Sequence, residues 1–172
     1  MTDFDASNWR TDKILTTEEA QVKADELRSA GKRLVTLNGS FDMLHAGHLD
    51  QLEEAKQQGD VLFVGLNSDQ SIKGKKGDSR PLIPEPARAA MLAALTCVDY
   101  VVIMNGDYDS EPMETLLPAV KPDVHVNGPD RGAPETWIEW PALQEINAEG
   151  YTVQKKNDFS TTQLIEKIKR DA

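Results

Sequence analysis

Apolar residues along this chain keep two rhythms that take turns. Short continuous runs, RLVTL at 33–37, VLFVGL at 61–66 and YVVIM at 100–104, suit strands covered on both faces, and shorter pieces at 124–126 and 151–155 continue the series. Between them the spacing becomes helical. Residues 15–30 open on a Thr-x-x-Glu-like cap, carry Val22 and Leu27 on one side and stop at Gly31. Residues 48–58 place Leu49, Leu52 and Ala55 at helical intervals before Gly59. Residues 84–95 begin with prolines in the first turn and carry Ala89, Met91, Leu92 and Leu95. Further helices are predicted at 111–120, 135–148 and 161–170. Strict alternation of these units calls for an α/β fold: an open parallel sheet of about five strands, helices on both faces, and an N-terminal helix before the first strand. In such a sheet, ligands bind beyond the carboxyl ends of the strands, where the strand order reverses. The segments that follow strands here are NGSFDMLHAGH, NSDQSIKGKKGDSRP, NGPDRG and NDFSTT, all polar and mostly glycine-bearing.

Composition narrows the ligand. A chain of 172 residues with 39% apolar content suits one domain, with 1–31 as leading segment and helix and 32–172 as the α/β core. A net charge of −10 argues against a nucleic-acid partner. There is no apolar run long enough to cross a membrane and no signal-peptide pattern in the first twenty residues, so a cytoplasmic protein without a membrane partner is expected. Cys97, the lone cysteine, lies in MLAALTCVDYVVIM and reads as a small core residue. Against the acidic background, SIKGKKGDSR concentrates Lys73, Lys75, Lys76 and Arg80. Charge runs are ordinarily solvated loops, but this one follows the second strand and so falls on the ligand edge.

Neither complete phosphate fingerprint is present: there is no G-x-x-x-x-G-K-[ST], and no G-x-G-x-x-G follows the first strand. What remains is a glycine-bearing turn, His45 and His48 at the entrance to a helix, lysines on the next loop, and Ser160-Thr161-Thr162 at another helix start. Helix N-termini offer free N–H donors, lysines offer point charges and imidazoles offer directed donors, a combination that describes a polyphosphate clamp. A zinc site on the histidine pair lacks a cysteine partner, and no metal site is expected; His125, inside a strand, reads as structural.

At these residues the chain resembles the cytidylyltransferase-like nucleotidyltransferases, which implies a Rossmann-like α/β fold in keeping with the alternation. N-G-x-F-D-x-L-H-x-G-H after the first strand, GLNSD after the second, then KGDSRP, Arg88, PDVHVNG and a final STT are similar, in that order, to the heptose 1-phosphate adenylyltransferase domain of ADP-heptose synthesis. The resemblance implies nucleotidyl transfer from a nucleoside triphosphate, ATP first and CTP second, to a sugar phosphate such as heptose 1-phosphate, with release of pyrophosphate and with Mg²⁺ bridging the phosphates. It implies that His45, His48 and Lys73 are catalytic. Asn38, Gly39, Ser40, Phe41, Asp42, Gly47, Asn127, Gly128, Asp130, Ser160, Thr161 and Thr162 would bind nucleotide, and Lys76, Arg80 and Arg88 the acceptor or its phosphates. A homodimer is also in keeping with the family. A cytidylyltransferase for a phosphorylated alcohol such as glycerol 3-phosphate, and a non-catalytic nucleotide sensor, are the alternatives. Two departures bear on substrate: Asn127 stands where the heptose branch has lysine, and ETWIEWPALQEINAEGY, with Trp137 and Trp140, is unlike that branch.

Overall fold

A computed structural model describes Trp9, residues 11–157 and residues 159–171; residues 1–8 of the leading segment lie outside the described part. The apolar runs form strands β1 (Ile14–Leu15), β2 (Leu34–Gly39), β3 (Val61–Asn67), β4 (Tyr100–Met104), β5 (Val124–Asn127) and β6 (Glu149–Thr152). They make one six-stranded sheet in the order β1-β4-β3-β2-β5-β6, parallel at every pairing. All seven residues of β3 are buried, which is why its sequence is apolar without alternation.

The helices are α1 (Thr17–Ser29), α2 (Ala46–Lys56), α3 (Asp69–Lys76), α4 (Glu85–Ala93), α5 (Leu117–Val120), α6 (Trp140–Glu145) and α7 (Thr161–Asp171). Leu52 and Ala55 of α2 and Ala89 and Leu92 of α4 pack on Val35, Leu37, Leu62 and Val64. On the opposite face Ala20 and Ala24 of α1 and Val120 of α5 pack on Leu34, Phe63, Val102 and Met104. The chain steps from β2 to β3 to β4 in one direction, then crosses back to place β5 and β6 on the other side of β2. Because Leu37 is level with Val126, Asn38 and Asn127 leave the sheet side by side at this reversal.

Several local boundaries differ from the sequence expectation. The helix expected from residue 15 starts later because Ile14 and Leu15 pair with Val101 and Val102 as the sheet's sixth, edge strand. Thr16 then caps α1: its side chain accepts from Glu19 N–H at 3.2 Å while Glu19 accepts from Thr16 N–H at 2.9 Å. The basic segment after β3 is not all loop. Ser68 caps α3 by accepting from Ser71 N–H at 3.2 Å, and the helix runs through Gly74 to Lys76. The helix expected over 135–148 is reduced to a turn at Pro134–Thr136 and α6, since Pro141 has no N–H to donate from a helix interior and Asn147 takes a left-handed φ of 56°. β6 accordingly begins two residues earlier than expected.

Candidate active site

The loop from β2 into α2 is built around a spent carboxylate. Asp42, 2% exposed, accepts from Arg80 Nε at 2.7 Å and from the amides of Leu82 and Ile83, the latter at 3.0 Å, and it pairs with Arg80 Nη2 at 2.5 Å. This carboxylate braces the loop at the wall of the cavity onto which the histidines open. Phe41 and Met43 on either side hold left-handed φ values of 46° and 62°, a conformation that non-glycine residues keep only when their surroundings enforce it.

The turn delivers His45 as the cap residue of α2 and His48 one turn on. Three-residue spacing on a helix start brings side chains together, and the two rings stack at a centroid distance of 3.8 Å and 20° between planes. Phe41 meets His48 edge-on at 5.3 Å. Nδ1 of both histidines is closed from solvent and has no partner. Burial pushes the His48 pKa down to about 4; the neighbouring His45 and Lys76 push the same way, and Asp42 opposes them without prevailing. Burial also lowers the pKa of His45. Both rings are therefore neutral near pH 7, each with one N–H to donate.

The stacked pair opens onto a cavity of about 620 Å³ at the carboxyl ends of β2 and β5, a size suited to a nucleotide-scale ligand. Across it lies the start of α7, where Ser160 Oγ caps by accepting from Gln163 N–H at 3.2 Å. Thr161 Oγ1 donates to the Asp42 carbonyl at 3.0 Å, so its hydroxyl ties α7 to the loop at the cavity wall, and Thr162 is exposed at the rim. The helices touch closely: a Cβ on Gly47 would come 2.8 Å from the Phe159 carbonyl oxygen. Asn38, Ser40, Phe41, Asn127, Gly128 and Asp130 also line this space, and Asn38 Oδ1 and Asn127 Nδ2 are buried without partners. Gly39 instead lines a small neighbouring cavity.

The basic residues separate. Lys76 lines the main cavity, donating to Ser40 Oγ at 3.0 Å with its ammonium 5.2 Å above the centre of the Tyr108 ring. Arg80 lines it while held by Asp42. Lys73, one turn back along α3, does not reach it and borders a different cavity with Asp69 and Glu85. Arg88 is fully buried, donating to the carbonyls of Ser40 at 2.5 Å and Ile83 at 2.8 Å and to Asp69 Oδ1 at 2.7 Å. Lys73 thus lies apart from the other residues expected to be catalytic, and Arg88 serves as an internal strut. Cys97, with its thiol pushed up to about 11 by burial and the nearby Glu53, is inert packing.

Sequence reasoning missed Gln51, Tyr108 and Arg131, together with the segment 154–157, all of which line the main cavity. The signal was available for three of these places, since Tyr108, Arg131 and 154–157 follow the carboxyl ends of β4, β5 and β6, where the reversal rule directs attention. Among the described residues no group of three or more His, Cys, Asp or Glu side chains is placed to hold a metal ion, and no helix is long and apolar enough to cross a membrane.

A parallel sheet with its reversal beside a histidine-bearing, cation-lined cavity defines an α/β domain with a candidate ligand site at its switch point. Residues 36–167 match the family model described as cytidylyltransferase-like, and the chain belongs to that family. It is 42% identical over 158 residues to bifunctional protein HldE of Helicobacter pylori, covering 92% of this chain and 31% of that protein. It is 44% identical over 149 residues to bifunctional protein HldE of Geobacter metallireducens, covering 87% and 29%. The chain thus spans about a third of the length of these relatives. A crystal structure of a lipopolysaccharide core biosynthesis protein from Thermoplasma volcanium is similar with a TM-score of 0.61 and 28% identity, over 74% of this chain and all of that one.

Proposed function

We propose that the protein transfers a nucleotidyl group, adenylyl from ATP in the first instance, to a sugar phosphate of the heptose 1-phosphate kind, releasing pyrophosphate. The observation that carries this reading is the meeting, around one cavity, of the neutral stacked pair His45 and His48, the ammonium of Lys76 and the N-terminus of α7. An acceptor phosphate is already a nucleophile, so the reaction needs no activated serine or cysteine. One acceptor oxygen forms a bond to the α-phosphorus while the bond from that phosphorus to the bridging oxygen breaks, and the electron pair leaves with pyrophosphate. The work left to the protein is alignment and stabilisation of charge on the phosphoryl oxygens. His48 and His45 donate to those oxygens; Lys76 counters the charge of the departing or attacking phosphate; free amides at the starts of α2 and α7 hold the rest.

The carboxylates present suit a Mg²⁺ carried mainly by the triphosphate. Asp42 is occupied by Arg80 and two amides, and Asp50 accepts from the Asn157 amide, leaving Asp130 as the open carboxylate at the rim. Bound there, the ion supplies charge neutralisation across the phosphates.

Pyrophosphate release, measured by a coupled assay with ATP, CTP, GTP and UTP against heptose 1-phosphate, hexose 1-phosphates and glycerol 3-phosphate, tests the proposal. Turnover with ATP and a sugar 1-phosphate is expected. Turnover confined to CTP and glycerol 3-phosphate would move the protein to the cytidylyltransferase alternative, and nucleotide binding without turnover on any pair would make it a sensor.

A further inference from the structure

Beside the main cavity, a second cavity of about 30 Å³ has Asn38, Asn67, Tyr108, Asp109, Arg131 and Glu139 among its lining residues, room for about one water or one hydroxyl group. Asn38, Tyr108 and Arg131 line the large cavity as well, so the small one is an annex of it. Glu139 comes from the stretch Trp137-Ile138-Glu139-Trp140 that opens α6, and it is 2% exposed, with Oε2 closed from solvent and unpartnered. A carboxylate held in that state is a standing cost to the fold, and such a group in a native protein calls for a reason. Neighbouring polar atoms do not supply one. Asn67 Nδ2 donates to Glu111 at 2.6 Å, Tyr108 OH is engaged with Ser40 Oγ at 3.1 Å, and the other unspent atom in the annex, Asn38 Oδ1, is itself an acceptor.

Arg131, the other donor on the wall, makes no bond to Oε2 either, so the partner comes from outside the chain: the one water the annex has room for, or a ligand hydroxyl in its place. A phosphate is repelled by Glu139 and Asp109 on this wall, and a bare cation is opposed by Arg131 and by Lys75, which already pairs with Asp109. A neutral hydroxyl fits the volume and donates its one hydrogen to Glu139, the stronger acceptor. Resting on the sugar-phosphate reading of the large cavity, we propose that Glu139 is the specificity residue for the acceptor: its carboxylate accepts a hydrogen bond from one sugar hydroxyl that reaches past Asn38 while the acceptor phosphate lies toward Lys76 and the histidines.

The test is equilibrium calorimetry of heptose 1-phosphate, each of its monodeoxy analogues and inorganic phosphate with the wild-type protein, Glu139→Gln and Glu139→Ala, alongside ATP binding and thermal melting. In the wild type one deoxy analogue is expected to bind on the order of 10²-fold more weakly than the parent, as for a site built around a substrate hydroxyl. In Glu139→Ala that difference is expected to vanish, in Glu139→Gln to shrink, with ATP affinity unchanged and the melting temperature of the ligand-free Gln variant equal to or above wild type. A purely structural Glu139 predicts lowered melting in both variants and discrimination left intact, and that result overturns the proposal. Wild-type binding of heptose 1-phosphate no tighter than inorganic phosphate also overturns it. Pyrophosphate release separates this inference from the transfer reading: hydroxyl discrimination through Glu139 without turnover defeats the reaction alone, and turnover with an unchanged acceptor kcat/KM in Glu139→Ala defeats the specificity role alone.

Discussion

A histidine that is neutral, stacked and half stripped of water is a donor prepared before its ligand arrives. If His48 gives its hydrogen bond chiefly to the charge that develops at the α-phosphate, His48→Ala is expected to lower kcat by about 10²-fold or more with triphosphate binding largely kept, as for removal of a preorganised oxyanion donor. His45→Ala should behave alike without adding fully, because the rings stack at 3.8 Å and serve one charge distribution. The lysines are expected to separate in the same assay: Lys76→Ala impairs turnover, and Lys73→Ala, exposed and on another cavity, leaves rate and melting temperature near wild type. Arg88→Met should instead cost about 3–5 kcal/mol of stability in denaturant unfolding, since it strips a buried network that ends on Asp69 and Ser40. The histidine pair was legible because its spacing and its glycine neighbours are local properties of the chain. The division between Lys76, Lys73 and Arg88 was not, for charge is visible in a sequence while the carbonyl that has already claimed it, such as Ser40 O, is not.

Among the elements, the alternation of apolar runs with amphipathic stretches carried the sheet, its helices and the place of the reversal, because continuous runs such as 61–66 have no stable home but a strand buried on both faces. What was hidden depended on partners distant in sequence. β1 is too short to announce itself and exists by pairing with Val101 and Val102, and α6 is cut short by Pro141 and the left-handed Asn147 inside a pattern that otherwise suits a longer helix. The contact between α2 and α7 is another such feature. α7 buries no residue completely and is tied to the body by Thr161 Oγ1 on the Asp42 carbonyl and by the approach of Phe159 O to Gly47. Adding one methyl in Gly47→Ala puts a carbon 2.8 Å from that oxygen, so the start of α7 must move. The expected result is a several-fold rise in KM for the nucleotide with little change in melting temperature, and an unchanged KM would show that α7 holds no part of the triphosphate.

For the whole molecule, pH-dependent stability in the mildly acidic range is governed by the histidines. The chain has three, and each is held below its ordinary pKa: His48 at about 4, His125 at about 3 and His45 by a smaller amount, burial being the first cause in every case. His125 is fully buried in β5, its Nδ1 2.8 Å from Thr36 Oγ1 and its Nε2 unpartnered, where a ring protonated on both nitrogens has no acceptor for Nε2. Unfolding releases these rings to an ordinary pKa near 6.5, at which the unfolded chain binds protons that the folded chain refuses. Stability is therefore fully present above about pH 6.5 and is lost as pH falls toward the folded values near 4 and 3, at up to about 1.4 kcal/mol per pH unit for each histidine. Glu111 acts in the opposite sense, because burial raises its pKa and lets the folded state take up a proton first, whereas Glu54, lowered by Lys156, Gln154 and Tyr151, adds to the loss only at more acid pH. Urea unfolding at pH 7.5, 6.5 and 5.5 is expected to show little change in midpoint between the first two and a clear fall between the last two. His125→Gln, although less stable at pH 7.5, should show a shallower fall, and a slope unchanged from wild type would mean that His125 is not the buried neutral group that sets acid sensitivity.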